Sequence, residues 1–243
     1  MTTAATTTTT MTTTTTMTTT MTTTMPTQEP TRILAIRHGE TPWNVDARIQ
    51  GYTDIALNAR GRDQAQRLGA AVGKSHDREP VHAVYSSDLS RAFDTAQQVA
   101  NNTGLTVKAD VGLRERTFGI FEGKTFDEVM QTHPKDANRW RLREPDYCPE
   151  GGESLSQFRT RILSCVEALA VQHPGEQIAV VAHGGVMDVL YRAATGQSIQ
   201  AARTWALGNA VINRLLWTPA GLTLVGWNDT SHLDDEAMTE THS

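Results

Sequence analysis

The chain has 243 residues, with 22 Lys and Arg against 27 Asp and Glu and a formal net charge of −5. Residues 1–31 carry one charged side chain, Glu29, so the remainder keeps a net −4, the wrong sign for a protein that binds nucleic acid or an anionic membrane over its whole surface. Cys148 and Cys165 have neither metal-ligand spacing nor a disulfide framework and read as reduced thiols of a cytoplasmic protein, and no apolar run approaches the ~20 residues of a membrane span.

Residues 1–30 are a Thr/Met-rich tract, with threonine at eighteen of the first twenty-four positions. The tract has no apolar periodicity, no Lys or Arg and no apolar signal-peptide core, so it reads as a disordered tail. Met25 would serve as a start for the domain. Residues 31–234 read as one domain, long enough to bury a core of its own, and 235–243 as a flexible C-terminal tail.

Within the domain, short apolar runs alternate with helical patterns. Strands are expected at 32–37, 81–86, 105–109, 177–183, 211–217 and 222–227. Between the first two, Ala65, Leu68 and Val72 mark a helix. From Leu89, the positions Ala92, Phe93, Ala96, Val99 and Ala100 follow one face of a 3.6-residue period, with Ser87 or Asp88 available as cap. A helix over 155–170 turns Leu155, Phe158, Ile162, Val166 and Leu169 inward, and Ser154 with Gln157 forms a capping box at its start. Gly184-Gly185 opens a further helical pattern. Thr218-Pro219-Ala220-Gly221 is short enough to join the last two strands as a hairpin.

This β-α-β-α order predicts an α/β fold: a three-layer α/β/α arrangement around a mostly parallel sheet with one antiparallel edge strand. In such sheets ligands collect beyond the carboxyl ends of the strands. Arg37 and His38 end the first strand, Ser86-Ser87 the second with Arg91 shortly after, and His183 the run "IAVVAH". A guanidinium fork matches phosphate oxygens, and glycines entering a helix free backbone N–H groups for an anion. A neutral imidazole is a nucleophile when its second nitrogen is held protonated by a carbonyl. Attack on phosphorus would form a phosphohistidine, and the leaving alkoxide would then need a proton. Glu115, in the glycine-bearing stretch "LRERTFGIFEG", is the candidate donor, because a carboxyl beside a bound dianion takes up a proton more readily.

Taken singly, each of these residues has a blander role as turn, surface charge or buried histidine. Together, "RHGETPWN", "SSDLSRAFDTA", "LRERTFGIFEG" and "VAHGG" resemble the histidine phosphatase superfamily, in its phosphoglycerate mutase-like branch, over about 32–233. The resemblance implies a phosphoglycerate mutase-like fold and His38 as the nucleophile that becomes phosphorylated. It implies Arg37, Arg91 and His183 as the clamp on the phosphoryl oxygens, with Asn44 and Gly184 assisting, and Glu115 as the proton donor. No metal is implied, since the arginines carry the positive charge.

The superfamily contains phosphatases and mutases. "RIQGYTDIALNARGRDQA", "CPEGGES" and "WNDTSHL" resemble the phosphatase branch, and the stretch 124–149 is shorter than a mutase lid. The expectation is therefore a phosphomonoesterase acting on a small phosphorylated metabolite without a cofactor. A 2,3-bisphosphoglycerate-dependent phosphoglycerate mutase is the alternative, and a phospho-ligand-binding regulator a further one. Arg116, Gln50 and Gly51 are candidate substrate contacts. Arg139, Arg141 and Arg143 either read a second anionic group or form a solvated helix face, and Trp140, Phe121 and Phe126 either wall the site or pack. A homo-oligomer stays open.

Overall fold

The computed structural model describes residues 28–233, together with 1, 2, 4 and 5. The readings of residues 6–27 as disordered and of 235–243 as a flexible tail lie outside the described residues.

In β1 (Thr31–Arg37), Ile33 and Ala35 point to one face of the sheet and Leu34 and Ile36 to the other, as the two-residue strand period requires. β4 (Gln177–Ala182) does the same with Ile178, Val180 and Ala182 against Ala179 and Val181. Strands buried on both faces need a layer of helices on each side. One layer is α2 (Ala59–His76) and α3 (Ser90–Thr103), which follow the one-turn α1 (Pro42–Val45). Their Leu68, Val72, Ala92, Ala96 and Val99 close over one face. The other layer is α6 (Leu155–Ala170) and α7 (Gly184–Thr195), with Phe158, Ile162, Val166, Met187 and Leu190 over the opposite face. The three-layer α/β/α expectation holds.

The sheet adds β2 (Ala83–Ser86), β3 (Val107–Ala109), β5 (Ile212–Thr218) and β6 (Gly221–Asp229), in the order β3-β2-β4-β1-β5-β6. β1, β2, β3 and β4 are parallel. β5 is antiparallel to both β1 and β6, so the reversed strand sits one position in from the edge and β6 forms the edge of an antiparallel pair. The helix 155–170 forms as expected, and the Ser154–Gln157 capping box is present in both directions.

The start of α3 differs from expectation. Its N-cap is Leu89, which offers no side-chain acceptor. Asp54 substitutes from 36 residues upstream, its Oδ1 accepting from the Ser90 N–H at 2.9 Å and from the Ser90 hydroxyl at 2.8 Å. Asp88 is engaged by Arg114 instead, at 2.7 Å from Nε. Between β3 and α6 the chain forms α4 (Phe126–Thr132) and α5 (Pro134–Arg141). Phe121, Val129, Ala137 and Tyr147 make a separate small core there, with Phe126 and Trp140 packed against it. The aromatic residues of this segment therefore pack together.

Candidate active site

β1 and β4 pair in register to Arg37 and Ala182, so the next residue of each strand leaves the sheet beside the other. Those residues are His38 and His183, with ring centroids 5.3 Å apart and planes at 62°. His38 Nδ1 lies 2.6 Å from the Gly39 carbonyl oxygen. A carbonyl only accepts, so Nδ1 carries the ring proton and Nε2 keeps its lone pair. Burial, then the charges of Arg91 and Arg37, pushes His38 well below the usual imidazole range, against the smaller opposing effect of the Gly39 bond. His183 is pushed the same way by burial, then by Arg91, His38 and Arg37. Both rings are neutral at pH 7.

Gly39 is required by packing. A Cβ there would lie 2.4 Å from the Gly61 carbonyl oxygen, so the turn after His38 sits directly on the start of α2. The Gly39 N–H donates to Thr95 Oγ1 at 3.1 Å, which ties the turn to α3 as well. On the other side, Asn209 Nδ2 donates to the His38 carbonyl at 3.1 Å and to Asn44 Oδ1 at 3.3 Å. Asn44 is therefore at the site, where its Oδ1 also accepts from the Thr41 N–H at 3.0 Å.

Two guanidinium groups face the histidines. Arg91 is fully buried on the first turn of α3, and the Gly51 and Thr53 carbonyls accept from its Nη2 at 2.8 Å and its Nη1 at 3.0 Å. Arg37 donates through Nη1 to the Leu207 carbonyl. Burial pushes Arg37 down to about 10, which leaves it charged at pH 7. A Cβ on Gly184 would lie 3.3 Å from Arg37 Nε, so the entry to α7 packs closely on that guanidinium. Arg37 Nε, Arg91 Nε and both ring nitrogens of His183 are buried with no hydrogen-bond partner among the described residues. Donors buried without acceptors carry a desolvation cost of ~1–3 kcal/mol each, which a bound oxyanion would remove.

Glu115 reaches this cluster from the loop after β3. Its Oε1 accepts from the Arg116 N–H at 2.8 Å, and its Oε2 from the Gly185 N–H at 2.9 Å, in the first turn of α7. A Cβ on Gly185 would fall 2.2 Å from Glu115 Oε1, so glycine is what lets the carboxylate approach. Arg161 holds the loop from α6, donating to the carbonyls of Gly112, Arg114 and Glu115 at 3.0, 3.0 and 3.2 Å while paired with Glu153.

The candidate substrate contacts divide. Gly51 works through its carbonyl on Arg91, and Gln50 keeps a buried Oε1 with no hydrogen-bond partner among the described residues. Arg116 is nearly fully buried, and its Nε and Nη2 hold the carbonyls of Glu153 and Tyr147 at 2.8 and 3.1 Å, so it braces a loop and does not offer a fork to substrate. Arg143 bonds Asp188 and the Ile199 carbonyl, Arg139 bonds Glu144, and Arg141 bonds Asn138. Sequence reasoning did not single out Asn209, Arg161 or Glu122, nor the bond from Gly185 to Glu115; each joins residues far apart in the chain. Beside Arg37, Gly184 and Gly185 opens a cavity of about 700 Å³, lined further by Gln64, Arg203 and Asn228. Among the described residues no group of His, Cys, Asp and Glu is placed to hold a metal ion.

The sheet between two helix layers is an α/β fold, and at its adjacent strand ends two histidine rings lie among buried guanidinium nitrogens. The chain belongs to the histidine phosphatase superfamily (branch 1), whose family model matches residues 33–230. It is 37% identical over 205 residues to the metal-independent phosphoserine phosphatase of Arabidopsis thaliana, covering 84% of this chain and 83% of that protein. It is 36% identical over 211 residues to phosphoglycerate mutase-like protein 4 of the same plant, covering 86% and 90%. Among solved structures, a mycobacterial glucosyl-3-phosphoglycerate phosphatase in complex with VO3 superposes with a TM-score of 0.71 at 31% identity, covering 82% of this chain and 99% of that one.

Proposed function

We propose that this protein is a metal-independent phosphomonoesterase acting on a small phosphorylated metabolite through a phosphohistidine at His38. The observation that carries the reading is the set of buried, unpartnered donors around a neutral histidine whose Nε2 is free to attack. Phosphatase names among its relatives support hydrolysis.

The substrate's phosphoryl oxygens take hydrogen bonds from Arg37, Arg91 and His183, with Asn44 beside them. Two guanidinium charges offset the dianion, the task a metal performs in other phosphoryl transfers. The His38 Nε2 lone pair forms the P–N bond as the P–O ester bond breaks, and Glu115 gives its proton to the departing oxygen. In the second half, the Glu115 carboxylate takes a proton from water as the water oxygen attacks phosphorus. The P–N bond breaks, inorganic phosphate forms and His38 is neutral again. The Gly39 carbonyl holds the Nδ1 proton throughout.

A mutase has to hold the other end of its substrate while the phosphoryl group sits on the histidine. Arg116, Arg139, Arg141 and Arg143, the candidates for that grip, are bonded elsewhere within the protein, which favours hydrolysis.

The test is a ³¹P NMR time course on O-phosphoserine and on 3-phosphoglycerate, each with and without catalytic 2,3-bisphosphoglycerate. Growth of inorganic phosphate, abolished by His38→Ala, is expected. Accumulation of 2-phosphoglycerate with little free phosphate would overturn the reading in favour of a mutase.

A further inference from the structure

Glu122 touches neither histidine nor Glu115, yet it is the most heavily bonded carboxylate near the site. Its Oε1 accepts from the Tyr52 N–H at 3.0 Å, the Phe118 N–H at 3.0 Å and the Thr117 hydroxyl at 2.9 Å. Its Oε2 accepts from the Thr53 N–H at 2.9 Å and the Thr53 hydroxyl at 2.7 Å. These donors come from two separate stretches, 52–53 and 117–118. The first includes Thr53 and follows Gly51, the two residues whose carbonyls grip the Arg91 guanidinium. The second begins two residues after Glu115.

We infer that Glu122 is a positioning residue for the phosphate clamp, fixing the 50–54 loop so that the Gly51 and Thr53 carbonyls orient Arg91, and tying that loop to the one that carries Glu115. This rests on the phosphate-site reading proposed for His38 and its neighbours.

Three observations support it. The 50–54 loop is neither helix nor strand: a turn bond from the Thr53 N–H to the Gln50 carbonyl at 3.0 Å bends it, and side chains hold its ends, Asp54 on Ser90 and Glu122 on Tyr52 and Thr53. Gly51 has φ +54°, and a Cβ there would lie 2.1 Å from Glu122 Oε1, so carboxylate and loop are in closest contact at the residue that holds Arg91 Nη2. Burial would raise Glu122, but the bonds from Tyr52, Thr53, Phe118 and Thr117 outweigh it and hold the group below the usual carboxylate range. The carboxylate therefore keeps all its acceptor sites at neutral pH, and a glutamine NH₂ could not accept from the backbone N–H groups it meets.

The experiment measures the dissociation constants of inorganic phosphate and orthovanadate by calorimetry on wild type, Glu122→Gln and Thr53→Val, at a temperature where circular dichroism shows each folded. It also follows the ¹H–¹⁵N signal of Arg91 Nε, assigned by its loss in Arg91→Lys. Glu122→Gln is expected to weaken both anions by on the order of tenfold and to shift or broaden the Arg91 Nε signal. Thr53→Val, which removes one bond, should do so by roughly two- to threefold. A merely structural role would lower the melting temperature and leave both constants and the signal unchanged, and that result overturns the inference. If Glu122→Gln does not fold, Thr53→Val with unchanged affinity and signal overturns it equally. Wild-type protein that binds neither anion would overturn the phosphate-site reading itself, an outcome distinct from a variant that binds as well as wild type.

Discussion

Gly185→Ala separates proton donation from phosphate binding. The residue lies in the first turn of α7 with an ordinary helical backbone, so alanine is compatible with the fold and has the better helix propensity. Its methyl would lie 2.2 Å from Glu115 Oε1 and 3.1 Å from Cδ, well inside the 3.4 Å at which ordinary contact begins. The carboxylate end must therefore retreat by about 1 Å, and misplacement of that size costs about 100-fold in a positioned reaction. The loss should fall on the step that needs a proton. For an alkyl ester such as O-phosphoserine, kcat/KM should drop about 100-fold, near 2.7 kcal/mol. For p-nitrophenyl phosphate, whose leaving group is stable without a proton, the drop should stay below about tenfold. Steady-state kinetics on both substrates reads the difference, and thermal unfolding checks that stability has not moved. Equal losses on the two substrates, or none, would refute the assignment of Glu115 as the acid.

Buried neutral histidines make stability depend on pH. The folded-state values of His38 and His183 lie well below their usual 6.5, so on acidification the unfolded chain takes up protons that the folded one refuses. Stability should be full above about pH 6.5 and fall below it by up to ~1.4 kcal/mol per pH unit for each ring. Urea titrations from pH 7.5 to 5.5 should show this, with a shallower slope in His183→Gln; an unchanged slope would contradict the assignment. EDTA should leave turnover intact, because two guanidinium groups carry the charge, and activity lost on chelation and restored by a divalent ion would contradict that. Leu68→Ala, fully buried on the inner face of α2 and away from the site, should cost ~3–5 kcal/mol in denaturant titration while kcat of the folded protein stays within about twofold.

The parts legible in the sequence were those governed by local pattern. α6 and its capping box, the hairpin at 218–221, the positions of Arg37, His38, Glu115 and His183 at strand ends and in a loop, and that of Arg91 at a helix start all follow from period and turn chemistry. The strand expected at 105–109 begins only at Val107, since the Leu105 N–H goes back to the Ala100 carbonyl to close α3 through the left-handed Gly104. α4 was readable from the Thr125–Glu128 capping box, though its short apolar pattern hid it. What could not be read were the long-range bonds. Asp54 on Ser90, Glu122 on Thr53 and Asn209 on His38 join residues 36, 69 and 171 positions apart, and no local period carries that information.

The place of β4 has a consequence for how the chain is made. β1 and β2 emerge from the ribosome first, but they are not neighbours: β4, some 90 residues after β2, lies between them and pairs with both. Until it arrives, the apolar edges of two finished strands stand open, and such edges invite pairing with other chains. Parallel insertion of a late central strand is a high-contact-order step and therefore slow. The same step brings His183 beside His38, so assembly of the proposed site and closure of the sheet are one event. Regain of activity during refolding should accordingly track the slowest structural phase, and substitutions that weaken β4 should act on aggregation during synthesis before they act on turnover.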